Sequence, residues 1–310
     1  MKIYKGLEDF KKLDYAVVTS GTFDGVHFGH QRILQKLDEI ARKYAGESVL
    51  ITYWPHPRLV IYPEQELYLL SSIEEKADLL NQMNVDHLVV IPFTAEFSDL
   101  SSEEFIKNIL VDKIGTKKLV IGYDHKFGKN RSGSFEELKK DGPIYGFEVE
   151  EIPKQMIDNN AVSSTKIRKA LGEGRVEIAN EYLGRPFCLH GSVIEGDKIG
   201  RTIDFPTANI DVGFKHKLIP AEGIYAVKVR IEHGYFNGML NIGYRPTFGG
   251  NQKRIEVNIF NFNENIYGKE IIVEFFHKIR SEIKFENSGA LKAQLQNDKI
   301  DAQQILKNHY

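Results

Sequence analysis

Histidines and glycines crowd one stretch, Gly21-Thr22-Phe23-Asp24-Gly25-Val26-His27-Phe28-Gly29-His30. An apolar run, Tyr15-Ala16-Val17-Val18, precedes it, and Ile33, Leu34, Leu37, Ile40, Ala41 and Tyr44 follow at helical spacing. The glycines therefore sit in a strand-to-helix turn. Such a turn aims backbone N–H groups and the positive end of a helix dipole at whatever lies above the strand end, which suits a phosphate. Gly21, Gly25 and Gly29 carry no side chain to hold that phosphate away. His27 and His30, close together at the helix start, can project to one side and donate hydrogen bonds to an α-phosphate as charge builds on it. That chemistry is transition-state stabilisation rather than nucleophilic attack. The spacing is neither G-x-G-x-x-G nor G-x-x-x-x-G-K-[ST], so the dinucleotide fingerprint and the P-loop are both absent. Taken alone, H-x-G-H also reads as an ordinary polar helix entry.

Further groups carry polar chemistry. Ile121 to Gly133, with Asp124, His125, Phe127, Gly128 and Arg131, follows a strand and is dense in Gly, Lys and Arg, which fits a solvated turn as well as a phosphate loop. Val162-Ser163-Ser164-Thr165-Lys166-Ile167-Arg168 is a hydroxyl cluster opening a helix, where capping and phosphate binding share one geometry. Pro55-His56-Pro57 is a turn fixed by two prolines. In the second half, Gly196, Gly200 and Arg201 lead into Phe205-Pro206-Thr207-Ala208-Asn209, whose Thr207 and Asn209 face one side if the segment is extended. Arg254 to Phe262 alternates like a barrel strand, with Glu256 and Asn258 on one face.

The elements that must position these residues change character along the chain. Strand candidates Tyr15 to Thr19, Val49 to Tyr53, His87 to Pro92, Lys118 to Gly122 and Phe147 to Ile152 alternate with helical patterns around Gln31 to Tyr44, Ile73 to Met83, Ser102 to Ile114 and Phe135 to Lys140. That order predicts an α/β domain with a parallel sheet, and ligands gather at the carboxyl ends of its strands. After the helical pattern Val176 to Leu183 come short β-rich runs, Phe187 to Ile194, Ile224 to Glu232, Phe236 to Ile242, Ile255 to Phe262 and Ile271 to Phe276. They predict an all-β domain, an antiparallel barrel or sandwich, with a terminal helix from about Ser288 to Leu306. The expected domains are 1–183 and 184–310, meeting at Gly184-Arg185-Pro186.

A length of 310 residues suits two domains, and a formal charge of -2 gives no electrostatic case for nucleic-acid binding. Cys188 stands alone, so no internal disulfide forms and a reducing, cytoplasmic setting is expected. No stretch approaches the ~18 apolar residues of a membrane span, and the N-terminus lacks the apolar core of a signal peptide. Oligomeric state is not legible.

The string G-x-F-D-G-x-H-x-G-H resembles the nucleotidylyltransferase signature as found in bacterial bifunctional riboflavin kinase/FAD synthetases, and the resemblance continues to the end of the chain. It implies a Rossmann-like adenylyltransferase domain followed by a riboflavin kinase barrel. Riboflavin, FMN and ATP are then small-molecule substrates and products, Mg²⁺ accompanies ATP, and no flavin is a permanent prosthetic group. In the first half the resemblance makes His27, His30 and Arg168 catalytic. Gly21, Phe23, Asp24, Gly25, Gly29, Asp124, Arg131, Ser163, Ser164 and Thr165 become nucleotide contacts, and Pro55, His56, Pro57 and Phe127 lie toward the flavin. In the second half it makes Gly196, Gly200 and Arg201 phosphate contacts, Thr207 and Asn209 metal ligands, Glu256 the general base and Arg280 part of a segment over the flavin. The chain departs from the family pattern at His125, Asp204, Asn258 and Asn261, where Phe, Gly, His and Asp are usual. A rival reading keeps one nucleotidylyltransferase activity and makes the barrel a flavin sensor; Glu256 beside Thr207 and Asn209 discriminates, since a sensor needs no base at a metal site.

Overall fold

The run Ala16–Ser20 is buried along its whole length, as a strand covered on both faces must be. It is the second of six parallel strands, β1 (Lys2–Lys5), β2 (Ala16–Ser20), β3 (Glu47–Trp54), β4 (His87–Pro92), β5 (Thr116–Gly122) and β6 (Glu148–Ile152), arranged β1-β4-β3-β2-β5-β6. Alternate residues feed opposite layers. Ala16, Val18, Val49 and Ile51 join Phe105, Ile106, Ile109 and Leu110 on one face, whereas Val17, Leu50, Leu88 and Val120 join Leu34, Leu37 and Leu80 on the other. The chain winds outward from β2 to β3 and β4, then returns to β5 on the other side of β2. The end of β2 is thus the topological switch point, where crossovers diverge and leave a crevice.

The structure, a computed structural model, describes residues 1–122, 127–128, 133, 135–152, 162–196, 200, 203–232, 234–247 and 250–307, with the backbone alone at 245–247 and 250–252. Its contacts divide the chain into two compact units, Met1–Ser164 and Thr165–Tyr310. The first carries helices α1 (Phe28–Lys43), α2 (Pro57–Ile61), α3 (Ile73–Asn81), α4 (Ala95–Ser98), α5 (Ser102–Glu104) and α6 (Phe135–Tyr145). After α5 the helix widens to a π-helix over Phe105–Ile114 and ends at Gly115, whose φ of +83° a side chain would strain.

The second unit is a closed antiparallel barrel of β7 (Phe187–Ile194), β8 (Ala208–Asp211), β9 (Gly223–Ile231), β10 (Gly234–Thr247), β11 (Gly250–Ile259) and β12 (Glu270–Arg280), in the order β10-β11-β8-β7-β12-β9. Barrel, not sandwich, is the outcome of the two forms the sequence allowed. Leu240 and Val257 pair across β10 and β11 on the inner face, while Met239 and Ala226 on the outer face pack under the last helix with Ala302 and Leu306. That helix, Ser288–Lys307, is α9; α7 (Ser164–Gly172) opens at the junction of the units and α8 (Val176–Leu183) follows it.

The contact division falls earlier than the junction expected near Gly184, and the reason is local. The Ala221 N–H donates to the Leu171 carbonyl at 3.0 Å. Asn180 of α8 donates to the Phe275 carbonyl at 2.8 Å and accepts the Phe187 N–H at 2.7 Å. Both helices therefore hydrogen-bond to the barrel.

Candidate functional site

The turn after β2 is held open from beneath. The Asp24 carboxylate, 2% exposed, accepts the N–H groups of Leu70 at 3.0 Å and Ser71 at 3.2 Å, and the Gly25 N–H donates to Ser71 Oγ at 3.1 Å. Gly25 has φ +78°, and a β-carbon there would sit 2.7 Å from Leu70 Cδ1, so only glycine fits. Phe23 and Val26 also have positive φ, 45° and 39°, a strained conformation for buried side chains of this size. Asp24, expected among the nucleotide contacts, accepts these backbone amides and so shapes the turn.

His27 caps α1, its Nδ1 accepting the His30 N–H at 3.4 Å. The two imidazoles stack with centroids 3.7 Å apart and planes within 15°, and Phe23 packs against His30 at 4.7 Å. Burial, then the neighbouring His27, then Lys76 push His30 well below the usual histidine range, so the ring is neutral near pH 7. Its Nδ1 is buried and has no hydrogen-bond partner among the described residues. Gly29 lies buried in the first turn of α1. Ser164 Oγ donates to the Asp24 carbonyl at 3.1 Å, which ties the hydroxyl cluster to the turn. Arg168 stands one turn further along α7 and half-buried, on the same helix face as Ser164; Thr165 is exposed, and Ser163 immediately precedes the helix.

One residue that sequence reasoning passed over belongs here. Lys76 of α3 is 3% exposed and donates to the Thr22 carbonyl at 2.7 Å and to Thr52 Oγ1 at 3.4 Å, with the Trp54 ring 5.7 Å from its ammonium. Desolvation lowers its pKa to about 8 against the favourable field of Asp24. A lone lysine on an amphipathic helix reads as solvated, and nothing in its neighbours' sequence signals otherwise.

His56 is buried and caps α2, its Nδ1 accepting the Arg58 N–H at 3.1 Å between Pro55 and Pro57. Phe127 bridges to Gly133 and lies in the core near Phe105, ring centroids 5.8 Å apart. Gly128, at φ +70°, comes too close to the Ser102 backbone to admit a β-carbon. Asp124, His125, Arg131 and Arg201 lie outside the described residues.

The second unit assembles its candidate site by strand register. Asn209 of β8 is the direct cross-strand partner of Glu256 of β11, and Glu256 is in turn the partner of Asn241 of β10. Directly opposite residues share a face. Ile255 and Val257 are buried on the inner side, so Glu256 points outward with about 29% of its side chain exposed. Arg254 stands 3.9 Å away. Asn258, two residues on and 7% exposed, donates to the Pro206 carbonyl at 2.7 Å and so pins the strand of Thr207 and Asn209. A β-carbon at Gly196 would collide with the Asn209 amide, and one at Gly200 with the Phe205 carbonyl, 3.5 Å from Thr207 Oγ1. Gly196 thus lies against the Asn209 side chain, and Gly200 near Thr207. A pocket of about 390 Å³ adjoins them, lined among others by Pro206, Thr207, Phe262, Ile266 and Tyr267.

Arg280 holds the buried Asp298 of α9 through two bonds, Nε to Oδ1 at 2.9 Å and Nη2 to Oδ2 at 2.7 Å. The guanidinium, expected over the flavin, thus also links α9 to β12. Asp204 adopts φ +64°, the conformation in which glycine is favoured, and pairs with Lys292, which lowers its pKa. Asn261 likewise has positive φ, 55°.

What the two groupings have in common is suitability for phosphate: backbone amides and imidazoles in one unit, hydroxyl, amide and carboxylate oxygens in the other. A nucleotide-dependent transferase in two parts is the class so defined. Residues 9–166 match the FAD synthetase family and residues 183–306 the riboflavin kinase family. Proteins described as bifunctional riboflavin kinase/FMN adenylyltransferase are similar over nearly the whole chain. That of Buchnera aphidicola subsp. Schizaphis graminum is 40% identical over 96% of each chain, and that of Haemophilus influenzae 38% identical over 96% of this chain and 97% of its own. A crystal structure described as a macrolide-efflux protein from Streptococcus pneumoniae superposes with a TM-score of 0.89 at 31% identity, covering 97% of this chain and 98% of that one. Among the described residues no helix is long and apolar enough to cross a membrane. The chain belongs to the bifunctional riboflavin kinase/FMN adenylyltransferase family.

Proposed function

We propose that the barrel phosphorylates riboflavin to FMN at Thr207, Asn209 and Glu256, and that the first unit adenylylates FMN to FAD at the Gly21–His30 turn. The observation that carries the first half of this reading is the pairing of Asn209 with Glu256, which sets a carboxylate directly across the ladder from an oxygen ligand. The Glu256 carboxylate takes the proton of the ribityl 5′-hydroxyl as that oxygen attacks the γ-phosphorus of ATP and ADP departs. Thr207 and Asn209 offer hard, neutral oxygens beside Gly200 and Gly196, a donor set fitted to Mg²⁺ already carrying phosphate oxygens. When bound, the ion supplies charge neutralisation on those oxygens. The adjoining pocket, with Phe262 and Tyr267 in its wall, suits the base of the nucleotide.

In the first unit the nucleophile is an FMN phosphate oxygen, already an anion, so no strong base is required. It attacks the α-phosphorus of ATP, and pyrophosphate leaves. The turn's amides and the helix N-terminus bind phosphate, and His27 and a neutral His30 donate N–H bonds as charge accumulates. Arg168 is assigned to the departing pyrophosphate, as a guanidinium suits two phosphate oxygens at once. ATP-rich, reducing cytoplasm is the setting we assign. Incubating purified protein with riboflavin and Mg-ATP and separating the flavins by chromatography tests the scheme. FMN should appear first and FAD after it. FAD from supplied FMN, with no FMN from riboflavin, would leave the barrel as a sensor.

A further inference from the structure

We infer that Lys76 is a positioning residue for adenylyl transfer, its ammonium fixing the floor of the phosphate-binding turn and placing a positive field on His30. This rests on the assignment of that reaction to the Gly21–His30 turn. The geometry is specific. Lys76 Nζ meets the Thr22 carbonyl at 2.7 Å, Thr52 Oγ1 meets the same carbonyl at 3.3 Å, and Nζ and Thr52 Oγ1 are themselves 3.4 Å apart. Three elements, α3, β3 and the turn, are thereby joined at the residue just before the strained Phe23. The next element is locked to the same place, because the amides of Leu70 and Ser71, immediately before α3, are held by Asp24.

Charged and titratable neighbours of Lys76 among the described residues belong to this arrangement. Asp24 favours the ammonium, and the Glu75 carboxylate caps α3 through the Ser72 N–H at 2.8 Å. His27 and His30 lie on the turn side, and the charge of Lys76 adds to that of His27 in disfavouring His30 protonation. A neutral imidazole keeps one ring nitrogen as a donor and one as an acceptor. That suits a reaction in which nothing needs to be protonated.

Burying an ammonium has a cost in stability. With a pKa of about 8 in the fold and 10.5 outside it, Lys76 holds its proton less tightly when folded. The penalty is complete below about pH 8 and fades as pH rises from there toward 10.5. A lysine retained only to support the fold would be destabilising to remove; one retained for the site would be neutral or stabilising to remove.

The test uses the full chain with Lys76→Met, which removes charge and donor, and Lys76→Gln, which keeps a donor for Thr22. For Lys76→Met we expect FAD formation from FMN to fall at least tenfold, riboflavin phosphorylation to stay unchanged and the melting temperature at pH 7 to hold or rise. In both variants the His30 titration midpoint, followed by NMR of isotope-labelled histidine, should move up. Wild-type FAD formation should decline with an alkaline midpoint near 8 that Lys76→Gln lacks. FAD formation within twofold of wild type in both variants, an unmoved His30 midpoint, or the loss of folding in both would each overturn the inference. Unimpaired FAD formation by His27→Ala and His30→Ala would instead remove the underlying site assignment.

Discussion

Each group proposed to act is defined by what its immediate neighbours leave it able to do. His27 spends Nδ1 on capping α1, which directs its other ring nitrogen away from the helix, and His30 is held neutral by burial and nearby positive charge. Replacing either by alanine should lower FAD formation by a hundredfold or more, about 3 kcal/mol for a lost donor to a developing oxyanion, while riboflavin phosphorylation continues. A rate assay with FMN and Mg-ATP checks this. Glu256 is the mirror case, a half-exposed carboxylate whose value lies in its position opposite Asn209. Glu256→Gln keeps shape and loses basicity, so turnover of riboflavin should drop by on the order of 10²- to 10⁴-fold with flavin and ATP affinity retained. Equilibrium binding measured beside single-turnover rates separates the two effects.

Elements matter here because they convert sequence distance into register. Asn258 anchors β8 through the Pro206 carbonyl, so Asn258→Ala should loosen Thr207 and Asn209 and raise the KM for Mg-ATP in riboflavin phosphorylation severalfold, a loss of about 1 kcal/mol for one buried hydrogen bond. FAD formation from FMN is the internal control. The apolar run Tyr15-Ala16-Val17-Val18, and the glycines before α1, made the strand and its loaded turn readable from the chain alone. β1 was not readable, because an edge strand of sequence Lys-Ile-Tyr-Lys has no apolar run to betray it. β8 was hidden for a related reason, being four residues long and coincident with a motif. Lys76 and Asp298 were missed because their burial is supplied by distant partners, Thr22 and Thr52 for one and Arg280 for the other. The facing of Asn209 and Glu256 depends on pairing between strands far apart in sequence, which periodicity cannot give.

Taken as a whole, the molecule consists of two units that each carry a core and a nucleotide site. We expect the fragment Thr165–Tyr310 to fold alone and convert riboflavin to FMN with Mg-ATP, making no FAD. A fragment beginning at Gly184 lacks Asn180 and its bonds to Phe187 and Phe275, and should melt at lower temperature while retaining the same activity. Thermal denaturation of the two fragments beside a flavin assay decides between these starts.

The closed barrel also has a weak stave. Among the described residues β8 meets β11 through Glu256↔Asn209 and Val257↔Ala208, and β7 through Ser192↔Asp211, Val193↔Ile210 and Ile194↔Asn209, whereas β9 pairs with β10 along its whole length. A cylinder gives way at its shortest seam, and this seam holds Asn209. Its amides should exchange with solvent deuterium sooner than those of β9, and Mg-ATP should slow that exchange by acting as the clasp that closes it.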